Sequence, residues 1–258
     1  MILFVFAVCL CASTIGGICG IGGGVVIKPL LDATGIMSVS TVSFLSGLTV
    51  LAMSLISVYK NRKTTELDAA RSVPLGLGAA VGGVMGKRLF EIIRRAAQAD
   101  QLVGVIQVVV LGLMVLGTLV YVRNKSRIRA RNVQNPWAAA VIGLLLGLCS
   151  SFLGIGGGPM NLAVLYYFFS MGTKQAAVNS ILIILISQMM SVIVSLVSGS
   201  VPVFEVPVLL AMVSAGALGG FASAKLHKKL SAETTDKLFS CLLVVILLIC
   251  CYNAAKWM

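Results

Sequence analysis

Two stretches of the chain, Gly20 to Gly24 and Gly154 to Gly158, carry the same five residues, GIGGG, and each runs directly into an apolar segment, Val25 to Ile36 and Pro159 to Met171. A glycine-rich break ahead of a helix leaves backbone N–H groups without intrahelical partners and turns the positive end of the helix dipole toward the break. Together these hold an anion with no charged side chain. Gly22, Gly23 and Gly24 and their counterparts Gly156, Gly157 and Gly158 are therefore candidate anion ligands, at helices starting with Val25 and Pro159. Pro159 suits a first helical position, where its missing N–H would have had no partner. The competing reading gives these glycines only tight packing and chain reversal. Ser43 and Ser180, with Thr41, Ser46 and Asn179 near them, offer hydroxyl and amide donors that would complete an oxyanion's hydrogen bonds. Serines in membrane helices also bond back to their own carbonyls, so that role competes.

Other chemistry finds little material. The cysteines at 9, 11, 19, 149, 241, 250 and 251 form no CxxC pair and lie in apolar runs, as buried fillers do, so neither a disulfide framework nor a zinc site is expected. Cys19 and Cys149 precede the two motifs, but at positions that do not correspond. His227 stands among lysines and reads as a solvated loop residue. Lys28 and Asp32, four apart, read as an ion pair on one helix face. No His/Asp/Glu cluster, HExxH or triad-like set is present, so the chain does not read as an enzyme, and no cofactor is expected.

The elements that must position these residues are set by composition. Of 258 residues 59% are hydrophobic and 11% charged, against about 25% charged in soluble domains. With a mean hydropathy of +1.04 this is the composition of a polytopic membrane protein. Charges gather at four boundaries: Lys60 to Arg71, Lys87 to Asp100, Arg123 to Arg131, and Lys225 to Lys237. The net charge of +12 sits at these boundaries rather than on one basic face, which argues for positive-inside placement and against a nucleic-acid partner. The runs between them have the length that a hydrocarbon core of about 30 Å demands. The first 19 residues resemble a signal peptide but lack a basic n-region, and are expected to stay in the fold.

The chain also repeats itself. The two GIGGG motifs are 134 residues apart, while Ser43 and Ser180, and Gly82-Gly83 and Gly219-Gly220, are 137 apart, which puts a small insertion near Tyr166 to Phe169. Residues 1–122 form one repeat and 137–258 the other, joined by a basic linker at 123–136. The segment after each motif has 12 or 13 residues, roughly 18 to 20 Å, too short to cross. Each motif is therefore expected to be the turn of a re-entrant hairpin, at 1–36 and 137–171, followed by three spans. The six spans are expected near 38–59, 72–90, 101–122, 175–198, 206–225 and 238–255. Three spans per half invert the second repeat relative to the first. The fold class is an all-α polytopic membrane protein of two inverted repeats, with eight conventional spans as the alternative. The positive-inside rule puts 60–71, 123–131 and 225–237 in the cytoplasm and the 199–205 loop outside, and 87–100 violates it. Gly78, Gly82 and Gly86, and Gly216 with Gly220, read as helix-packing seams.

GIGGGVVIKPLL and GIGGGPMNLAVLYYFF, each followed by a serine-containing helix (STVSFLS, VNSILII) and by spans ending GKRL or SAKL, resemble the TauE/SafE family of membrane permeases over nearly the whole chain. The resemblance implies export of a small sulfur-containing or organic anion, such as sulfite, a sulfonate or sulfoacetate. One departure is the stretch Tyr59 to Lys63, often rich in His and Arg in the family and here without His. The partners expected are a small anionic substrate and the lipid bilayer of a bacterial or archaeal cytoplasmic membrane, with association into a homodimer left open. No Asp or Glu lies inside an expected span away from its ends, which favours a facilitator or potential-driven exporter over a carboxylate relay. An anion channel is the rival, and a membrane-embedded enzyme a more distant one.

Overall fold

The computed structural model describes residues 1–62, 67–97, 100–125, 128–152 and 158–257. Within these, the side chains of 33, 39, 90, 91, 93–97, 100–108, 152 and 251–257 are left aside. The regular structure of the described residues is helix, with α1 (Ile2–Cys19), α2 (Gly24–Thr34), α3 (Val39–Asn61), α4 (Ala69–Ala97), α5 (Asp100–Asn124), α6 (Pro136–Phe152), α7 (Gly158–Phe169), α8 (Thr173–Val197), α9 (Val206–Lys229) and α10 (Ala232–Trp257). Among them four stretches are long and apolar enough to cross a membrane: Ile2–Cys19, Ser40–Asn61, Thr173–Val197 and Val206–Lys229. The helices α4, α5 and α10 have 29, 25 and 26 residues, also a spanning length. At 11 and 12 residues, α2 and α7 do not.

Local chemistry sets the ends. Ser38 caps α3, its side chain accepting from the Thr41 N–H at 3.2 Å, and Asp68 Oδ1 accepts from the Arg71 N–H at 3.2 Å in the first turn of α4. Gly20 and Gly35 end α1 and α2 in the left-handed conformation that glycine adopts without penalty.

Helix directions follow from which residues meet. Along α1 and α9, Ser13 packs on Gly219, Gly17 on Ser223, and the Ile18 carbonyl on His227, so the two run parallel. Along α4 and α6, Gly78, Gly82 and Gly86 abut Ala140, Leu144 and Leu148, again in parallel. Thr49 and Met53 of α3 lie on Gly216 and Gly220 of α9, and Ser72, Gly76 and Lys87 of α4 meet Asn179, Ile183 and Ser191 of α8. Both pairs are parallel. The direct contact of α3 with α8 is antiparallel, Gly47 meeting Gln188 while Met53 clusters with Ile184. Consequently α1 and α6, α3 and α8, and α4 and α9 are oppositely directed pairs. The glycine seams expected at Gly78 to Gly86 and Gly216 to Gly220 are the places where backbone touches backbone.

Helix starts recur at 134 residues for α1 and α6, α2 and α7, and α3 and α8, and at 137 for α4 and α9. The extra residues thus fall after the start of the third helix, not near Tyr166 to Phe169. On this register Ser180 corresponds to Ser46 rather than to Ser43.

Candidate functional site

The first glycine motif is a buried knot between α1 and α2. The Gly16 carbonyl accepts from the Gly20, Ile21 and Gly22 N–H groups, the last two at 2.9 and 3.2 Å. Gly20 and Gly22 have φ of 77° and 78°, the left-handed region, so the reversal depends on glycine at both. Gly23 precedes α2 with no side-chain cap, so the amides of Gly23, Gly24 and Val25 lead the helix without intrahelical acceptors.

Two other parts of the chain close on this knot. Ser180 of α8 is fully buried and donates to the Gly20 carbonyl at 2.6 Å, and a Cβ on Gly20 would stand 2.5 Å from the Cα of Ala177. Gly22 faces Ile184 and Val50, and Gly24 faces Val50. From the other half, Gly158 at the start of α7 lies directly against the backbone and side chain of Ile21. The structure therefore brings together Gly22, Gly23, Gly24, Gly158 and Ser180. Gly156 and Gly157 lie outside the described residues.

Three other candidates stand apart from this group. Ser43 is exposed, two helical turns along α3 from Val50, roughly 10 Å. Thr41 donates to the Val203 carbonyl at 3.0 Å, at the far end of α3. Asn179 is fully buried but engaged elsewhere: its Oδ1 accepts from the Asp68 N–H at 3.0 Å and the Ser72 hydroxyl at 2.8 Å, and its Nδ2 donates to the Gln175 carbonyl at 2.8 Å. It fastens the start of α4 to α8.

Ser46 follows the competing reading for these serines, while Ser13, Asn161 and His227 have surroundings that the sequence did not indicate. Ser46, the register mate of Ser180, is buried and donates to the Ser43 carbonyl at 3.1 Å. Ser13 and Asn161 are buried polar residues whose side-chain oxygens have no hydrogen-bond partner. His227 is a correction: α9 continues to Lys229, so the ring is 2% exposed, with Nδ1 3.3 Å from the Ile18 carbonyl, and is not a solvated loop residue. Cys9, Cys19 and Cys250 are buried as expected, whereas Cys11 and Cys241 are exposed on the outer surface.

A polar cluster joins the end of α5 to the starts of α8 and α10. Lys125, just past α5, forms an ion pair with Asp236 of α10 and donates to Thr173 Oγ1 of α8 at 2.9 Å, with its Nζ 4.7 Å from the centre of the Tyr166 ring. Thr173 Oγ1 lies 3.1 Å from both carboxylate oxygens. Beside it a surface recess of about 390 Å³ is lined by Arg123, Glu233, Lys237 and Cys241 among others.

The sequence model of the family described as "Sulfite exporter TauE/SafE" matches residues 5–249. The chain is also similar to "Probable membrane transporter protein YunE" of Bacillus subtilis (strain 168), 24% identical over 260 residues that cover 92% of each protein. No solved structure matches. With its family match running almost end to end, the chain belongs to the sulfite exporter TauE/SafE family of membrane transporters.

Proposed function

We propose that the protein exports a small anion of the sulfite, sulfonate or related organic class across the cytoplasmic membrane, by alternating access between two inverted repeats. The contact of Ile21 with Gly158 carries this reading, because it joins the two glycine motifs deep between the halves. Each helix start supplies about half a unit of positive charge, so two starts facing one point would balance about one anionic charge. The site proposed uses the backbone of Gly22, Gly23 and Gly24 and the corresponding Gly156, Gly157 and Gly158, with Ser180, whose one hydroxyl hydrogen goes to the Gly20 carbonyl, holding the turn in place. Thr41, Ser43 and Asn179, with the surroundings described above, would act on the frame around it.

The opposed directions of α1 and α6, α3 and α8, and α4 and α9 support the inverted-repeat reading. On that reading α1 with α2, and α6 with α7, are re-entrant hairpins entering from opposite faces, with the start of α7 at Gly158 against Ile21 of the first turn. Non-helical backbone at that depth needs protein around it, and the knot at Gly20 to Gly23 has it. A negative interior would drive each anionic charge outward with about 2.3 kcal/mol per 100 mV.

The test is flux from proteoliposomes loaded with sulfite or methanesulfonate. Saturable efflux that accelerates when the vesicle interior is made negative is the expected result, and efflux indifferent to potential contradicts the driving force. Sustained conductance in a planar bilayer would establish a channel instead. Gly22→Ala and Gly157→Ala variants that fold and transport normally would remove the glycine site.

A further inference from the structure

Among the described residues every other buried helical serine has a hydrogen-bond partner, and Ser13 is the exception. Ser46, Ser54, Ser150 and Ser223 each donate back to a carbonyl three residues earlier, at 2.9 to 3.1 Å. That bond is always within reach of a helical serine and removes the cost of burying its hydroxyl. Ser13 of α1 is fully buried and its Oγ has no partner, while the carbonyl three residues before it, that of Leu10, accepts from the Thr14 hydroxyl at 2.7 Å. The hydroxyl instead faces the glycine break: a Cβ on Gly23 would lie 3.0 Å from it. Gly219 of α9 presses on it from behind, where a Cβ would come within 2.5 Å of the Ser13 Cβ. An orphaned hydroxyl thus stands beside the amides that lead α2, which also lack intrahelical acceptors.

A buried donor left without an acceptor costs stability, and the cost is recovered when a ligand supplies the acceptor. We propose that Ser13 is a substrate-binding residue whose hydroxyl donates to the transported anion at the start of α2. The donors come from two elements, the side chain from α1 and the amides from α2. The ligand class they fit is an oxyanion with acceptor oxygens in more than one direction, such as sulfite or a sulfonate. This inference rests on the anion-transport reading and adds to it a side chain that selects the oxyanion.

The experiment is a thermal-shift titration of the purified full-length chain with sodium sulfite and sodium methanesulfonate, using sodium chloride to hold ionic strength. The wild type should melt higher as either oxyanion is added. Ser13→Ala should melt, without anion, at the same temperature as wild type or higher, because it removes an unpaired buried hydroxyl. It should need about tenfold more oxyanion, or beyond, for the same shift, as expected for losing a hydrogen bond to a charged group. A Ser13→Ala variant that responds to oxyanion as wild type does would overturn the role of Ser13 while leaving the anion site standing. So would one that melts well below wild type without anion, since the hydroxyl would then be structural. A wild type unmoved by both oxyanions would instead count against the anion site as a whole.

Discussion

The Ser180 hydroxyl donates to the Gly20 carbonyl at 2.6 Å, joining two residues 160 positions apart in the chain. That carbonyl belongs to the end of α1, where the last C=O groups have no helical partner. A side chain from the second half therefore completes the end of a helix in the first. Ser180→Ala should lower stability by about 1–3 kcal/mol, the cost of orphaning a buried acceptor. The melting temperature in detergent, read beside transport rate, checks this, and an unchanged melting temperature would show that the bond is not needed.

Gly20→Ala should be far more damaging than Ser180→Ala. The left-handed backbone alone costs a non-glycine residue roughly 1–2 kcal/mol, and the new methyl would stand 2.5 Å from the Ala177 Cα. Loss of folded protein on size-exclusion chromatography is the expected outcome. A well-folded Gly20→Ala protein would mean that the knot can be rebuilt.

At the α4 and α6 seam, Gly82→Val should prevent assembly, because a Cβ there drives into the Leu144 carbonyl. Gly117 of α5 is the matched control: it is exposed and nothing lies within 4 Å of a Cβ there. Gly117→Ala should be neutral or stabilising by up to about 1 kcal/mol. Equal behaviour of the two variants would contradict the close-packed seam.

Asp236→Asn leaves Lys125 without its ion-pair partner at a site about a quarter exposed, while keeping a hydrogen-bond acceptor for Thr173. The effect on stability should be modest, about 1 kcal/mol, and the effect on transport larger if this cluster holds one end of the bundle closed. Glu233 and Lys237 serve as the comparison. Their hydrogen bond holds the Glu233 carboxyl below its usual range, yet both are exposed, so Glu233→Gln should leave the melting temperature unchanged at pH 7. Because the folded-state pKa is depressed, whatever that pair contributes is present at neutral pH and lost as pH falls through it.

Orientation is tested by single cysteines at Lys174 and Val203, labelled in intact cells with a membrane-impermeant maleimide. Val203, exposed in the loop before α9, should react from outside, and Lys174 only after permeabilisation. The reverse pattern would invert the proposed orientation.

Helix positions were largely legible in the sequence because charge clusters bound the apolar runs: a span expected at 38–59 became Val39–Asn61, and one at 175–198 became Thr173–Val197. The end of α9 was misjudged. Lysines at 225, 228 and 229 suggest a loop, but the helix continues through them and lays His227 on α1. The pairing of Ser43 with Ser180 came from carrying the 137-residue spacing of the later spans back into a helix that still keeps 134. Ser13 could not have been singled out, since a serine in an apolar helix ordinarily satisfies itself and only a hydrogen-bond inventory reveals the exception. Nor could Lys125 and Asp236, which belong to separate charge clusters 111 residues apart.

The parallel packing of α1 on α9 sets an order on biosynthesis. Ile2–Cys19 is made well before its glycine-lined partner Val206–Lys229, and the Ser180 that seals its end also comes later in the chain. For most of translation the glycine knot must therefore wait, its amides and carbonyls unsheltered, until the late helices arrive. A helix made early is thus secured late, so a chain truncated before α9 would leave Ile2–Cys19 without its principal contact.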